Sequence, residues 1–263
     1  MNAFTIALTN LLFIGLEVMV AVLLYFLYNR FPLSWFLEHD SNSDMVSGAG
    51  SDDFISPRLK KFPDSIVFCS GFVVVNFIFY LQHGFSLLFF CNLLSVIFLF
   101  YIAVSDLKTR IIPDQFISGL IFISLFWILY DMSTIYVSEA MWYEMIFSRL
   151  LGALAGGGVI LLIGFVGSKL FKQEAMGMGD VKLMFACGLI IGINAIFAVL
   201  ALSFMLAFIP ALIQIRNSRH GRSGAVKMDS QMPFGPFIAM STILFLVFPS
   251  EFLSLIDWWL KIG

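Results

Sequence analysis

Gly177-Met178-Gly179-Asp180-Val181-Lys182 stands at the mouth of an apolar stretch: from Leu183 to Ile215 no residue carries a charge. A run of that length reads as helix in a membrane, because a bilayer core about 30 Å thick takes about 20 apolar residues per crossing. At its edge the carboxyl of Asp180 is expensive, since hydrocarbon cannot replace the water it loses. The glycines on either side of Met178 thin the backbone just before that carboxyl, so another chain or helix can come close. A carboxylate so placed calls for a polar partner.

The rest of the chain has the same character. Of its 263 residues 60% are hydrophobic and 12% charged, about half the charge of an ordinary soluble domain. Apolar runs at 3–28, 65–82, 86–104, 115–131, 146–168, 182–194, 195–214 and 236–256 predict an all-α membrane protein, a polytopic bundle of about eight transmembrane helices. The runs are continuous rather than alternating, which excludes a β-barrel. The sixth is short, and it meets the seventh near Gly192–Asn194. The first has no basic region ahead of it and no small-residue cleavage site, and Asn29-Arg30 follows at once, so it reads as a retained helix.

Thirteen of the fifteen Lys and Arg residues fall on alternate loops, between the runs that begin at 3 and 65, 86 and 115, 146 and 182, and 195 and 236. By the positive-inside tendency those loops are cytoplasmic and both termini lie outside. Only Arg149 and Lys261 fall on the other side, where Asp131, Glu139 and Glu144 gather. The loop from Arg30 to Asp64 is polar and too short for a core of its own. The expected division is 1–64, a first span with its cytoplasmic loop, and 65–263, a membrane domain carrying the chemistry.

A partner for Asp180 appears in an echo. Ser105-Asp106-Leu107-Lys108 and Gly179-Asp180-Val181-Lys182 are both Asp-x-Lys, at matched membrane boundaries. Residues two apart on a helix point to different sides, so Lys108 and Lys182 are free to reach the interface or a substrate terminus. Each aspartate alone reads as well as a cap or an interfacial charge. Together they read as a catalytic dyad. Two carboxylates about 4 Å apart at an effective dielectric of about 20 repel by roughly 4 kcal/mol, so such a pair shares a proton. One carboxyl then acts as base toward a water and the other as acid toward a carbonyl.

Other chemistries find no residues. His39, His83 and His220 are scattered, and Cys69, Cys91 and Cys187 sit in apolar runs without metal-ligand spacing, so no metal site is expected. Neither a Gly-x-Ser-x-Gly elbow nor a phosphate-binding loop is present. Net charge of -2 argues neither way about nucleic acid, and no nucleic-acid partner is expected. Gly156-Gly157-Gly158 suits close helix packing. Glu17, in mid-span, reads as functional or paired inside the bundle. Pro113 starts the fourth span, with Asp114 beside it as a cap or interfacial anchor. Pro233 and Pro236 bracket Phe234-Gly235 and are expected to keep the chain extended before the last span.

Three of these motifs carry a resemblance. Glu174 to Leu183 resembles the Gly-x-Gly-Asp signature of the type IV prepilin peptidases. Ala103 to Asp114 is similar to that family's first aspartate motif, and Met232 to Phe237 to its late Pro-Phe-Gly-Pro signature. They occur in family order from Ala103 to Phe237, about half the chain. The resemblance implies an eight-span enzyme of a bacterial inner membrane that cuts the short basic leader from prepilins or pilin-like secretion proteins at the cytoplasmic face. It assigns catalysis to Asp106 and Asp180. Gly177, Gly179, Lys108, Lys182, Pro233, Phe234, Gly235 and Pro236 are expected to shape the site or bind substrate. The substrate would be an apolar helix with a basic leader, docked in membrane lipid. Many family members then methylate the new N-terminus with S-adenosylmethionine.

One departure bears on that second activity. Family members often carry paired Cys-x-x-Cys motifs for zinc in the first cytoplasmic loop, and this loop has no cysteine. No zinc is expected, and methylation is in question. Presenilin-type proteases also use Gly-x-Gly-Asp, and Pro210-Ala211-Leu212 matches their late tripeptide, but it falls in mid-span. A proton-coupled transporter would need further acids along a path, and only Glu17 offers one.

Overall fold

A computed structural model describes residues 3–36, 59, 64–138, 142–172, 176–219 and 233–254. Among them the chain is helical throughout, without strands, a polytopic helical membrane protein. The helices are α1 (Ala3–Arg30), α2 (Asp64–His83), α3 (Leu87–Thr109), α4 (Asp114–Ser138), α5 (Trp142–Phe171), α6 (Met178–Ile191), α7 (Ile193–Arg219) and α8 (Gly235–Val247). Large apolar side chains point outward along them, among them Leu11 and Met19 on α1, Leu162 and Phe165 on α5, and Met205 and Ile209 on α7. Such faces suit a solvent of lipid tails.

Six helices, α1 to α5 and α7, are long and apolar enough to cross a membrane. The expected sixth and eighth spans are shorter. At about 1.5 Å per residue α6 and α8 each reach only about 20 Å. Gly192, at φ 82°, ends α6 and lets α7 begin at once, inside the stretch where the sequence places that boundary. Helix α8 stops at Phe248, where φ -126° and ψ 55° leave the helical region, and 249–254 is helical again.

The chain divides into two compact units, Met1–Gly119 and Leu120–Gly263. In the first, α1, α2 and α3 pack through layers of rings. Phe13 stacks on Tyr80 with centroids 4.0 Å apart and meets Phe85 and Phe89 edge-on. At the other end of α1, Tyr28, Phe31, Phe36, Tyr101 and Phe116 form a second group, and the Tyr101 hydroxyl donates to the Leu24 carbonyl at 2.9 Å. Gly84, at φ 58°, turns the chain from α2 toward α3. Ser86 then caps α3 by accepting from the Phe89 N–H.

In the second unit α5 and α6 lie backbone against backbone. A Cβ on Gly188 would come within 2.3 Å of the Gly152 carbonyl oxygen, and one on Gly152 within 2.5 Å of the Gly192 carbonyl carbon. Gly156 and Gly157 continue the contact against Met184, Ile196 and Phe185. Small residues allow such approach where no hydrophobic force drives helices together. The expected role of Gly156-Gly157-Gly158 holds for the first two; Gly158 faces open space. Helices α7 and α8 are joined by the hydroxyls of Ser203 and Ser241, both buried, and by Ala195 and Val199 against Phe245.

Candidate active site

Asp106 lies in the last turn of α3 and is 4% exposed. Its surroundings are tied down by local hydrogen bonds. Arg110 adopts φ 57° and donates its N–H to the Asp106 carbonyl at 2.9 Å, a left-handed helix stop. The Ser105 hydroxyl donates to the Ile111 carbonyl, and the Thr109 hydroxyl to the Ser105 carbonyl, each at 2.8 Å. The Pro113 carbonyl accepts from Phe116 N–H at 3.0 Å and opens α4. The link from α3 to α4 is therefore one hydrogen-bonded piece with Asp106 inside it. Asp114 is exposed in the first turn of α4, where an acid suits the positive end of a helix.

Lys108 points elsewhere. Its ammonium pairs with the Asp64 carboxylate at the start of α2, both side chains about three-quarters buried. Its charge is engaged within the unit, and it is Asp64 rather than Asp106 that it pairs with. Asp64 is a partner that the sequence reading did not single out; the signal was an acid opening an apolar run.

Asp180 is the third residue of α6 and half-buried. Its N–H donates to the Gly177 carbonyl at 3.2 Å. The first turn of a helix gathers unpaired N–H groups and favours negative charge, so the helix end itself suits this carboxyl. Gly177 caps the helix at φ -73° and ψ 144°, values open to any residue. A Cβ there would lie 3.7 Å from Asp180 Oδ2, an ordinary contact. Among the described residues neither strain nor crowding requires a glycine at 177. Gly179 is half-buried beside it, and Lys182 is exposed two residues along from Asp180. Just before the cap, Met176 rests against α5 where a Cβ on Gly164 would come to 3.3 Å. Glu174 lies outside the described residues.

What holds α6 in place was mostly not foreseen. At its far end Arg149 of α5 donates from Nη1 to the carbonyls of Leu189, at 3.1 Å, and of Ile190. Its Nε pairs with Asp131 of α4, and its guanidinium lies 5.4 Å from the Trp127 ring centroid. A cation at a helix C-terminus meets carbonyls that lack partners in the helix. The signal for this role was present, since Arg149 is one of two basic residues on the poorly basic side and Asp131 shares that side. From Leu183 to Ile190 every residue of α6 except Phe185 is buried.

The Pro-Phe-Gly-Pro stretch corrects one expectation. Phe234 is not extended: its φ of -97° and ψ of -25° are helical, and it caps α8. Its carbonyl accepts from Phe237 N–H at 3.0 Å, and its ring packs 5.0 Å from Phe204 of α7. Proline suits the first helical turn, where its missing N–H has no partner to lose. Gly235, without a Cβ, escapes the clash that pushes residues before proline into extended conformations. Pro233 and Pro236 are half-buried and Gly235 buried. The stretch is a helix start.

Among the described residues no cluster of His, Cys, Asp or Glu could hold a metal ion. Cys91 and Cys187 are buried and Cys69 is half-buried, all as free thiols. Residues 37–58, with His39, lie outside the described residues.

The resemblance to leader peptidases holds over residues 93–212, which match the model of the type IV leader peptidase family. Both Asp106 and Asp180 lie inside that stretch. The chain is also similar to a prepilin leader peptidase/N-methyltransferase of Neisseria gonorrhoeae, 25% identical over 180 residues, covering 68% of this chain and 56% of the relative. The chain thus matches a little over half the length of that relative. No solved structure matches it.

Proposed function

We propose that this chain is an aspartic endopeptidase that removes the basic leader from type IV prepilins or pilin-like secretion proteins in a bacterial inner membrane, with residues 65–263 as its peptidase domain. The observation that carries the reading is that two Asp-x-Lys motifs fall within the 93–212 family match, one in the last turn of α3 and one in the first turn of α6. Asp106 and Asp180 are the catalytic pair. One carboxylate takes a proton from water, which attacks the scissile carbonyl, and the other carboxyl gives its proton to the carbonyl oxygen. The tetrahedral intermediate collapses when the leaving amine is protonated. The proton count closes over the cycle without metal or covalent intermediate.

Alternate basic loops support a site on the cytoplasmic side, where the leader's own basic residues remain while its apolar helix lies in lipid. Gly177 supports the same reading from another direction. Since the described residues leave space for a methyl group at 177, that glycine serves an extended substrate backbone beside Asp180, and Gly179 is assigned the same role. Lys182, exposed two residues along on another side of the helix, serves the substrate's interfacial end, and the helix start at Pro233-Phe234-Gly235-Pro236 and the engaged Lys108 shape the site. Methylation of the freed N-terminus with S-adenosylmethionine is a separate activity. It is supported only by the name of the gonococcal relative.

Asp106→Asn and Asp180→Asn should each abolish leader removal from a co-expressed prepilin while the protein remains in the membrane. Full processing by either variant would sink the dyad. Mass spectrometry of the mature pilin in the same experiment reads methylation: an N-terminus heavier by one methyl group supports it, and an unmodified one removes it.

A further inference from the structure

In the first unit the ring layer around Phe13 is followed by a layer of polar side chains. Glu17 is one helical turn along α1 from Phe13, Asn76 one turn along α2 from Tyr80, and Asn92 one turn along α3 from Phe89. The Phe13 ring contacts both Tyr80 and Phe89. Side chains one turn apart share a face, so the three polar residues share a level and the inward side of their helices. Phe72, one turn beyond Asn76 on α2, meets Phe100 of α3 edge-on.

Burial there is nearly complete, with Glu17 3%, Asn76 0% and Asn92 1% exposed. Glu17 Oε2, Asn76 Oδ1 and Asn92 Oδ1 have no hydrogen-bond partner among the described residues. The Asn76 amide is oriented by its Nδ2, which donates to the Phe72 carbonyl at 2.9 Å, leaving its oxygen to face away. Ser95, on the same face of α3, is also fully buried, and its hydroxyl donates to the Cys91 carbonyl at 2.8 Å. Buried oxygens in hydrocarbon cost free energy unless something donates to or coordinates them.

We propose that Glu17, Asn76 and Asn92 form a binding site for a single alkali-metal cation within α1, α2 and α3. Counting favours a cation over a proton on Glu17 alone. A proton on Glu17 supplies one donor for three orphaned oxygens, whereas a cation coordinates all three. Charge decides the valence. On these three helices the other ionisable groups away from neutrality, Arg30, Asp64, His83, Asp106 and Lys108, sit in the end turns. One carboxylate among neutral amides is balanced by one positive charge, and a divalent ion would leave an excess in the membrane interior. Oxygen donors of this kind suit hard cations. The site is independent of the peptidase reading: its three oxygens come from residues before the 93–212 match.

The test uses the full-length protein in detergent at constant pH and ionic strength, with sodium chloride or potassium chloride replacing choline chloride. The bound cation should raise Tm saturably by about 2–4 °C for one of the two alkali ions. Glu17→Gln should lose that response, and Asp106→Asn should keep it. Should Glu17→Gln not fold, labelling of the unaltered protein with a hydrophobic carbodiimide gives a second reading. Glu17 should be modified in choline and protected in the favoured alkali salt. Equal Tm and equal labelling in all three salts would overturn the proposal, as would a salt response that Glu17→Gln retains. In a separate pH series in choline chloride and in the alkali salts, labelling that follows pH identically in every salt would also overturn it, and would leave Glu17 as a protonated donor.

Discussion

Asp106-Leu107-Lys108 and Asp180-Val181-Lys182 share a pattern but occupy opposite ends of helices, and different forces hold them. Asp106 closes α3 and is set by bonds within eight residues: Ser105 to Ile111, Thr109 to Ser105, Arg110 to Asp106. Asp180 opens α6, and its N–H donates to the Gly177 carbonyl. Its position depends on contacts far away in sequence, on Gly152 and Gly156 along the helix and on Arg149 at the far end. Two carboxyls that look alike in the chain are thus placed by local chemistry in one case and by tertiary packing in the other. Substitutions distant from each should therefore have unequal effects.

The largest expected effect is at Gly188. Gly188→Val puts a side chain into the Gly152 backbone, which cannot yield as a flexible side chain would. Ordinary overpacking costs about 1–3 kcal/mol, and a clash at 2.3 Å with a backbone carbonyl forces the two helices apart, which takes this variant beyond that range and beyond the ion-pair losses below. Thermal unfolding should show the loss, and leader removal should fall with it although Asp180 is untouched. Wild-type stability in this variant would break the claim that α6 is placed by backbone contact.

Next comes the contrast between the two ion pairs. Arg149→Met strands Asp131 and two helix-end carbonyls, and breaking a buried pair costs about 3–5 kcal/mol. Lys108→Met removes a partly exposed pair, for which about 1 kcal/mol or less is expected. Equal shifts in thermal stability for the two variants would erase the difference between the two regions. The smallest effect sharpens it. Gly177→Ala should leave Tm unchanged, because the added methyl meets only ordinary contact, yet cleavage should slow if a substrate backbone passes there. Unchanged cleavage would remove the substrate-approach role of this glycine.

Most of the helical fold was legible in the sequence, and its errors are informative. Six apolar runs became helices long enough to span, and the break near Gly192 fell where the chain offers a residue free to take φ 82°. Helix α8 was expected to run unbroken to 256, but Phe248 interrupts it, and hydropathy averages across such a bend without registering it. At Pro233–Pro236 the usual effect of proline on its predecessor was applied where a glycine relieves it. The glycine triplet drew attention because it is conspicuous, while the isolated Gly152 and Gly188 make the closer contact. Nothing local distinguishes a glycine that faces a backbone from one that, like Gly158, faces open space.

What the sequence by itself determined is the class of molecule, its approximate spans and the two aspartate motifs, because hydropathy and motif spacing are properties of neighbours along the chain. The tertiary structure decided which glycines touch, that Lys108 answers to Asp64, that Arg149 closes α6, and that Glu17, Asn76 and Asn92 on three helices are all buried. Those facts join residues tens of positions apart. Their physical origin is the fit of one helix face against another, which no single segment encodes.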